Sequence, residues 1–120
     1  MNRIRIALVV AAASVLVTFA VAPLANGRPH SANATTVTVK MKEFKFILSK
    51  TSVPHGKVTF KLVNVGKLAH DMRIGGKTSA KIKPGKTGTF VVTLKKGRAP
   101  YICPIPGHAA AGMKGVLKVT

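Results

Sequence analysis

Near the C-terminus, Cys103, His108 and Met113 stand with four residues between each neighbouring pair, in Tyr-Ile-Cys-Pro-Ile-Pro-Gly-His-Ala-Ala-Ala-Gly-Met. A thiolate, an imidazole and a thioether are soft to borderline donors, the set that copper prefers. On a loop between two strand ends, all three can turn back onto one ion. Pro104, Pro106 and Gly107 favour a tight, stiff turn and oppose helix. A trigonal copper site with a long axial thioether needs a second imidazole. His70, about 30 residues upstream, is the candidate. The expected set is His70, Cys103 and His108 in the plane and Met113 on the axis.

Each residue also has an ordinary reading. A single buried cysteine is commonly a small hydrophobe, and a methionine before a closing strand is commonly core. His55, in Pro-His-Gly, reads as a surface turn residue, and His30 as part of a solvated tail. Met41 is core by alternation. Met72 falls on the strand face of His70 and reads as core, or otherwise as a weak extra ligand. The joint spacing, rather than any one residue, carries the copper reading.

The elements that must position these residues are strands. Val37, Val39 and Met41 alternate with polar residues, as do Val58, Phe60 and Leu62, and Phe90, Val92 and Leu94. Phe44, Phe46 and Leu48 suggest a further apolar face, and Val116 and Val119 mark the closing strand. His70 opens a short strand expected over 69–74. Turn signals stand between the runs, at Pro54-His55-Gly56, Gly75-Gly76, Pro84-Gly85-Lys86 and Lys96-Gly97. About seven or eight short strands, each with one apolar face, predict an all-β sandwich or barrel.

The N-terminus has the form of an export signal. Arg3 and Arg5 precede an apolar run from Ile6 to Ala22, which Pro23 and Gly27 end. Ala32-Asn33-Ala34 suits cleavage, so residues 1–34 read as signal peptide and flexible tether, and 35–120 as one domain. The 17-residue run is marginal for a ~30 Å hydrocarbon core, which leaves an uncleaved anchor, and membrane association through it, open. Export places the domain in the periplasm, outside the cell or on its surface. Cys103 is the only cysteine, so no internal disulfide can form.

Lys and Arg number 20 against two acidic residues, Glu43 and Asp71, for a formal charge of +18. Removing residues 1–34 takes Arg3, Arg5 and Arg28, leaving 17 basic and two acidic side chains, net +15. Such a chain attracts polyanions. Export argues against nucleic acid and toward acidic protein partners, with an anionic membrane or wall polymer as further options. Much of the charge is simply the solvated phase of the strands.

The Cys-x4-His-x4-Met loop with upstream His70 resembles the cupredoxins, the plastocyanin/azurin superfamily of blue-copper proteins. The likeness covers residues 36–120, and the loop is closer to the rusticyanin-like form than to the shorter plastocyanin one. It implies a Greek-key β-sandwich of about eight strands and a one-electron Cu(I)/Cu(II) carrier. One cysteine and the other histidines, His30 and His55, cannot build the further coppers of a copper oxidase or nitrite reductase, so the chain is expected not to be an enzyme, and a monomer is expected. The first histidine is often followed by Asn in that family; here Asp71 follows, and its carboxylate is expected to turn from the Cys103 sulfur toward loop amides. Two other readings remain: an extracytoplasmic copper chaperone or store using His70-x-Met72 and Met113, and a polyanion-binding module without copper.

Overall fold

The computed structural model describes residues 34–120, so the leader, its cleavage site and His30 lie outside the described residues. Strand β1 (Thr35–Lys42) buries Val37, Val39 and Met41 completely and turns Thr36, Lys40 and Lys42 to solvent. The period of two in the sequence is thus one wet face and one dry face. Strand β2 (Lys45–Leu48) pairs with it antiparallel, and β4 (Gly56–Asn64) pairs with it in parallel. Strand β7 (Thr87–Leu94) completes the sheet order β2-β1-β4-β7, with Phe60 opposite Phe90 and Val58 opposite Val92.

The second sheet has the order β3-β9-β8-β5-β6. Its long members are β8 (Gly97–Ile102) and β9 (Lys114–Val119), with β3 (Ser52–Val53), β5 (Arg73–Ile74) and β6 (Lys77–Thr78) as two-residue pieces. The two mixed sheets and the absence of helix among the described residues make the all-β sandwich that the alternation predicts. One apolar cluster, from Val37 and Phe60 to Leu117 and Val119, fills the space between them.

Three details add to or differ from expectation. In β9 the inward phase is Leu117 and Val119, while Val116 is 46% exposed. The phase is set by Met113, which is buried just before the strand, so every second residue after it faces the core. Gly115 stands in that phase because its partner Tyr101 lays its phenol over the Gly115 position, leaving no room for a Cβ. Phe44 is not a strand residue either. It lies in the β1–β2 turn, more than a third exposed. His70 precedes β5 as an isolated bridge to Ile82, rather than beginning a strand.

Candidate metal centre

His70 is held by the backbone on both sides. Its N–H donates to the Ile82 carbonyl (3.1 Å), and the Ile82 N–H returns to the His70 carbonyl (2.8 Å). Gly88 makes space for this bridge, because a side chain there would strike the Ile82 methyl. The approach to His70 is folded around Asn64, fully buried at the end of β4. Its amide donates to the Leu68 and Ile82 carbonyls (2.7 and 2.8 Å) and its oxygen accepts from the Gly66 N–H (2.9 Å).

Glu43 is the second support. A single oxygen, Oε1, accepts from the Lys67 N–H (2.8 Å), the Leu68 N–H (2.7 Å) and His70 Nε2–H (3.2 Å). Gly66 permits this approach, since a Cβ there would lie 2.6 Å from that oxygen. The Leu68 amide is the largest cause holding the Glu43 carboxyl down at about 2 against an ordinary 4.5; its own amide, the Lys67 amide and His70 add to the effect and partial desolvation opposes it. An acceptor at Nε2 fixes the imidazole tautomer, so that the Nδ1 lone pair is free to face the other donors.

The other donors come from one loop. Cys103 follows β8 and donates its N–H to the Met113 carbonyl (3.0 Å), while the Met113 N–H donates to His108 (3.0 Å) and the His108 N–H to Ile105 (3.1 Å). Gly107 and Gly112 take positive φ (85° and 115°), a conformation that costs a side-chain-bearing residue energy. The loop therefore closes through its own amides, as the Pro and Gly content predicts.

These supports bring three donor atoms within 4.8 Å of one another: a ring nitrogen each of His70 and His108 and Cys103 Sγ. His108 Nδ1 lies 3.2 Å from His70 Nδ1 and 3.5 Å from Cys103 Sγ. Such spacings leave room for one ion at the ~2.0–2.3 Å typical of nitrogen and sulfur ligands. His70, Cys103 and Met113 are fully buried, and His108 is half-buried. Met113 is tied to both Cys103 and His108 by the backbone bonds above. The donor set fits a single copper of the blue type: one thiolate, two imidazoles and a thioether.

Asp71 is a correction. Its carboxylate does not turn away from the sulfur; Oδ1 accepts from the Cys103 thiol at 3.7 Å, in a buried setting. The protonated thiol is a donor, so the expected repulsion between two anions does not arise. Burial pushes the Cys103 thiol up, and the Asp71 carboxylate adds to this, while the Asp71 and Ile105 amides aimed at the sulfur oppose it.

Comparison with known families decides the class. The model of the cupredoxin-like domain matches residues 9–119. This chain belongs to the cupredoxin-like family. The cupredoxin superposes on several solved structures. A dithionite-reduced auracyanin from Roseiflexus castenholzii covers 72% of this chain and 98% of its own at 22% identity and a TM-score of 0.62. Auracyanin B covers 72% and 89% at 25% identity and a TM-score of 0.61. Auracyanin A of Chloroflexus aurantiacus, described as a "blue" copper protein, covers 72% and 99% at 21% identity and a TM-score of 0.60. No curated protein matches the sequence significantly.

The sequence motif did not point to Glu43, Asn64 or Phe44. Phe44 sets its ring edge-on against His108, with centroids 5.0 Å apart. The one available signal was that Glu43 is one of two acidic residues in a strongly basic chain. Its role is open to test. Glu43→Gln keeps one accepting oxygen and Glu43→Leu keeps none, so the Leu variant is expected to lose 10–100-fold in copper affinity and the Gln variant much less. Chelator competition measures this, and equal affinities for Leu and wild type would refute the role. In the copper-free chain the carboxylate's contribution to stability is complete above pH 4.5 and lost as pH falls through about 2. Acid melts should show that limb in wild type and a flatter one in Glu43→Gln.

Proposed function

We propose that this cupredoxin is an exported one-electron carrier that holds one copper through His70, Cys103, His108 and Met113. The observation that carries the reading is the convergence of two imidazole nitrogens and one buried thiol, from two separate loops, within 4.8 Å. When bound, copper supplies a one-electron couple. The chain does the rest. Glu43 and the Ile82 bridge keep His70 in one orientation, and the closed loop keeps Cys103, His108 and Met113 in register. Cys103 must release its proton for a metal to bind, and its burial excludes water and partners from the sulfur.

His108 is the donor that reaches the surface, and we take its ring edge as the route for electrons. Around it, Ala109 to Gly112 and Phe44 form a small uncharged surface, with Ala110, Ala111 and Gly112 exposed. An acidic redox protein can approach there without stripping charged groups of water, steered by Lys67 and Lys114. Exchange rates with an anionic reagent should then fall with ionic strength; indifference to salt would refute the steering. A copper-delivery role fits less well, because handover needs accessible ligands and both Met72 and Met113 are fully buried.

The deciding experiment is spectroscopic. One equivalent of Cu(II) should give an intense visible band from thiolate-to-copper charge transfer and an EPR spectrum with narrow copper hyperfine splitting. A pale, tetragonal spectrum would overturn the carrier reading and favour copper handling.

A further inference from the structure

The end of the sandwich opposite the metal centre carries an unbalanced charge. Strand β8 runs from Gly97 toward Cys103, and β9 runs away from Met113 to Val119. Their register sets Arg98 directly opposite Lys118. Arg98 is five residues before Cys103, about 17 Å along the strand at ~3.3 Å per residue. Lys96, Arg98 and Lys118, with Thr51, Gly97, Val116 and Val119, line an open depression of about 430 Å³. Lys50, Lys57 and Lys95 are exposed at this same end, where Gly56 pairs with Leu94.

Like charges facing each other across a ladder cost stability, and no described acidic side chain pairs with either. Both carboxylates are committed to the metal end, Glu43 on His70 and Asp71 on Cys103. Among the described residues, the one ion pair is His70 with Glu43. At this end the Thr120 carbonyl oxygen is held by the His55 amide and ring (2.9 Å each), and neither Arg98 nor Lys118 has an ion-pair partner among the described residues, so both can receive an anion from outside. The depression also has an apolar lining residue, Val116, 46% exposed and two residues along β9 from Lys118.

The chain enters the domain at this end too. Thr35 pairs with Val58, two residues from Gly56, and the 34 residues before Thr35 include the apolar run Ile6–Ala22. If that run is kept as an anchor, the chain enters the domain from the membrane side at the end that carries these cations, away from the metal centre. We infer that this end is a docking surface for an anionic lipid bilayer, with Lys96, Arg98 and Lys118 receiving phosphate headgroups. The inference does not depend on copper.

The test is a competition of the full chain between neutral phosphatidylcholine vesicles and vesicles containing phosphatidylglycerol. The ratio of the two cancels whatever the apolar run contributes equally to both. Each basic residue at an anionic surface is worth roughly fivefold. The triple variant Lys96→Gln, Arg98→Gln, Lys118→Gln should therefore cut the preference for phosphatidylglycerol on the order of a hundredfold at low salt. Rising salt should close that gap. A triple of equal charge at the metal end, Lys42→Gln, Lys83→Gln, Lys86→Gln, should change the ratio far less. The first triple also relieves the Arg98–Lys118 repulsion, so its melting temperature should not fall. Equal losses from both triples, or no preference for the anionic vesicles in wild type, would overturn the inference. So would a stronger, equally triple-sensitive preference for soluble polyphosphate, which would make the partner a free polyanion.

Discussion

Cys103→Ser is expected to abolish the visible band of the copper-loaded protein, while Met113→Leu keeps it. The band needs a covalent copper–thiolate bond, and a serine hydroxyl at neutral pH supplies neither the charge nor the polarisable sulfur. The loop should survive the change, because the bond from the residue 103 N–H to the Met113 carbonyl is a backbone bond. In blue-copper sites a thioether donor is weak and mainly tunes the potential; with Met113 in that role, Met113→Leu should raise the potential and leave the colour. Both side chains are fully buried, and Leu is close to Met in volume, so its packing cost stays under about 1.5 kcal/mol. A colourless Met113→Leu beside a coloured Cys103→Ser would reverse these roles. Asp71→Asn probes the same sulfur. It removes the carboxylate that helps hold the thiol up, so copper uptake, which must displace the thiol proton, should extend to lower pH than in wild type. Uptake curves that coincide would refute this effect of Asp71.

Copper is expected to raise the melting temperature by a large margin. A ligand that binds the folded chain alone adds RT ln(1 + [L]/Kd), about 4 kcal/mol at a thousandfold excess over Kd. One kcal/mol shifts a domain of 60–100 residues by about 4–8 °C, so the gain is roughly 16–30 °C. The single cysteine leaves no disulfide to mask it. The two donor loops, 64–70 and 103–113, are joined across the centre by side chains, such as the His70–His108 approach at 3.2 Å and the Cys103–Asp71 contact. An ion shared between them adds a tie that the unfolded chain lacks. Scanning calorimetry of the copper-free and copper-loaded forms measures it, and coincident melts would show that copper does not bind the folded chain in preference to the unfolded one.

Much of this protein could be read from local pattern. Alternation in Val37–Met41, Val58–Leu62 and Val92–Leu94 marked strands that do bury those residues, because a pleated strand sends neighbouring side chains to opposite faces. The ligand loop was legible for a similar reason. Cys103, His108 and Met113 are close in sequence, and the Pro and Gly between them dictate a turn within that stretch. The phase of β9 was not legible, since two valines three apart cannot both face inward and only the burial of Met113 decides which does.

The surroundings of the donors depended on tertiary structure alone. Glu43 reaches Lys67, Leu68 and His70 across 24 to 27 residues, and no periodicity records such a meeting. The direction of the Asp71 carboxylate depended on whether the facing sulfur is a donor or an anion, which burial governs. The charge of +18 was plain from composition. That both carboxylates gather at the metal while Arg98 faces Lys118 at the far end followed from register, because pairing strands bring together residues that the chain holds apart.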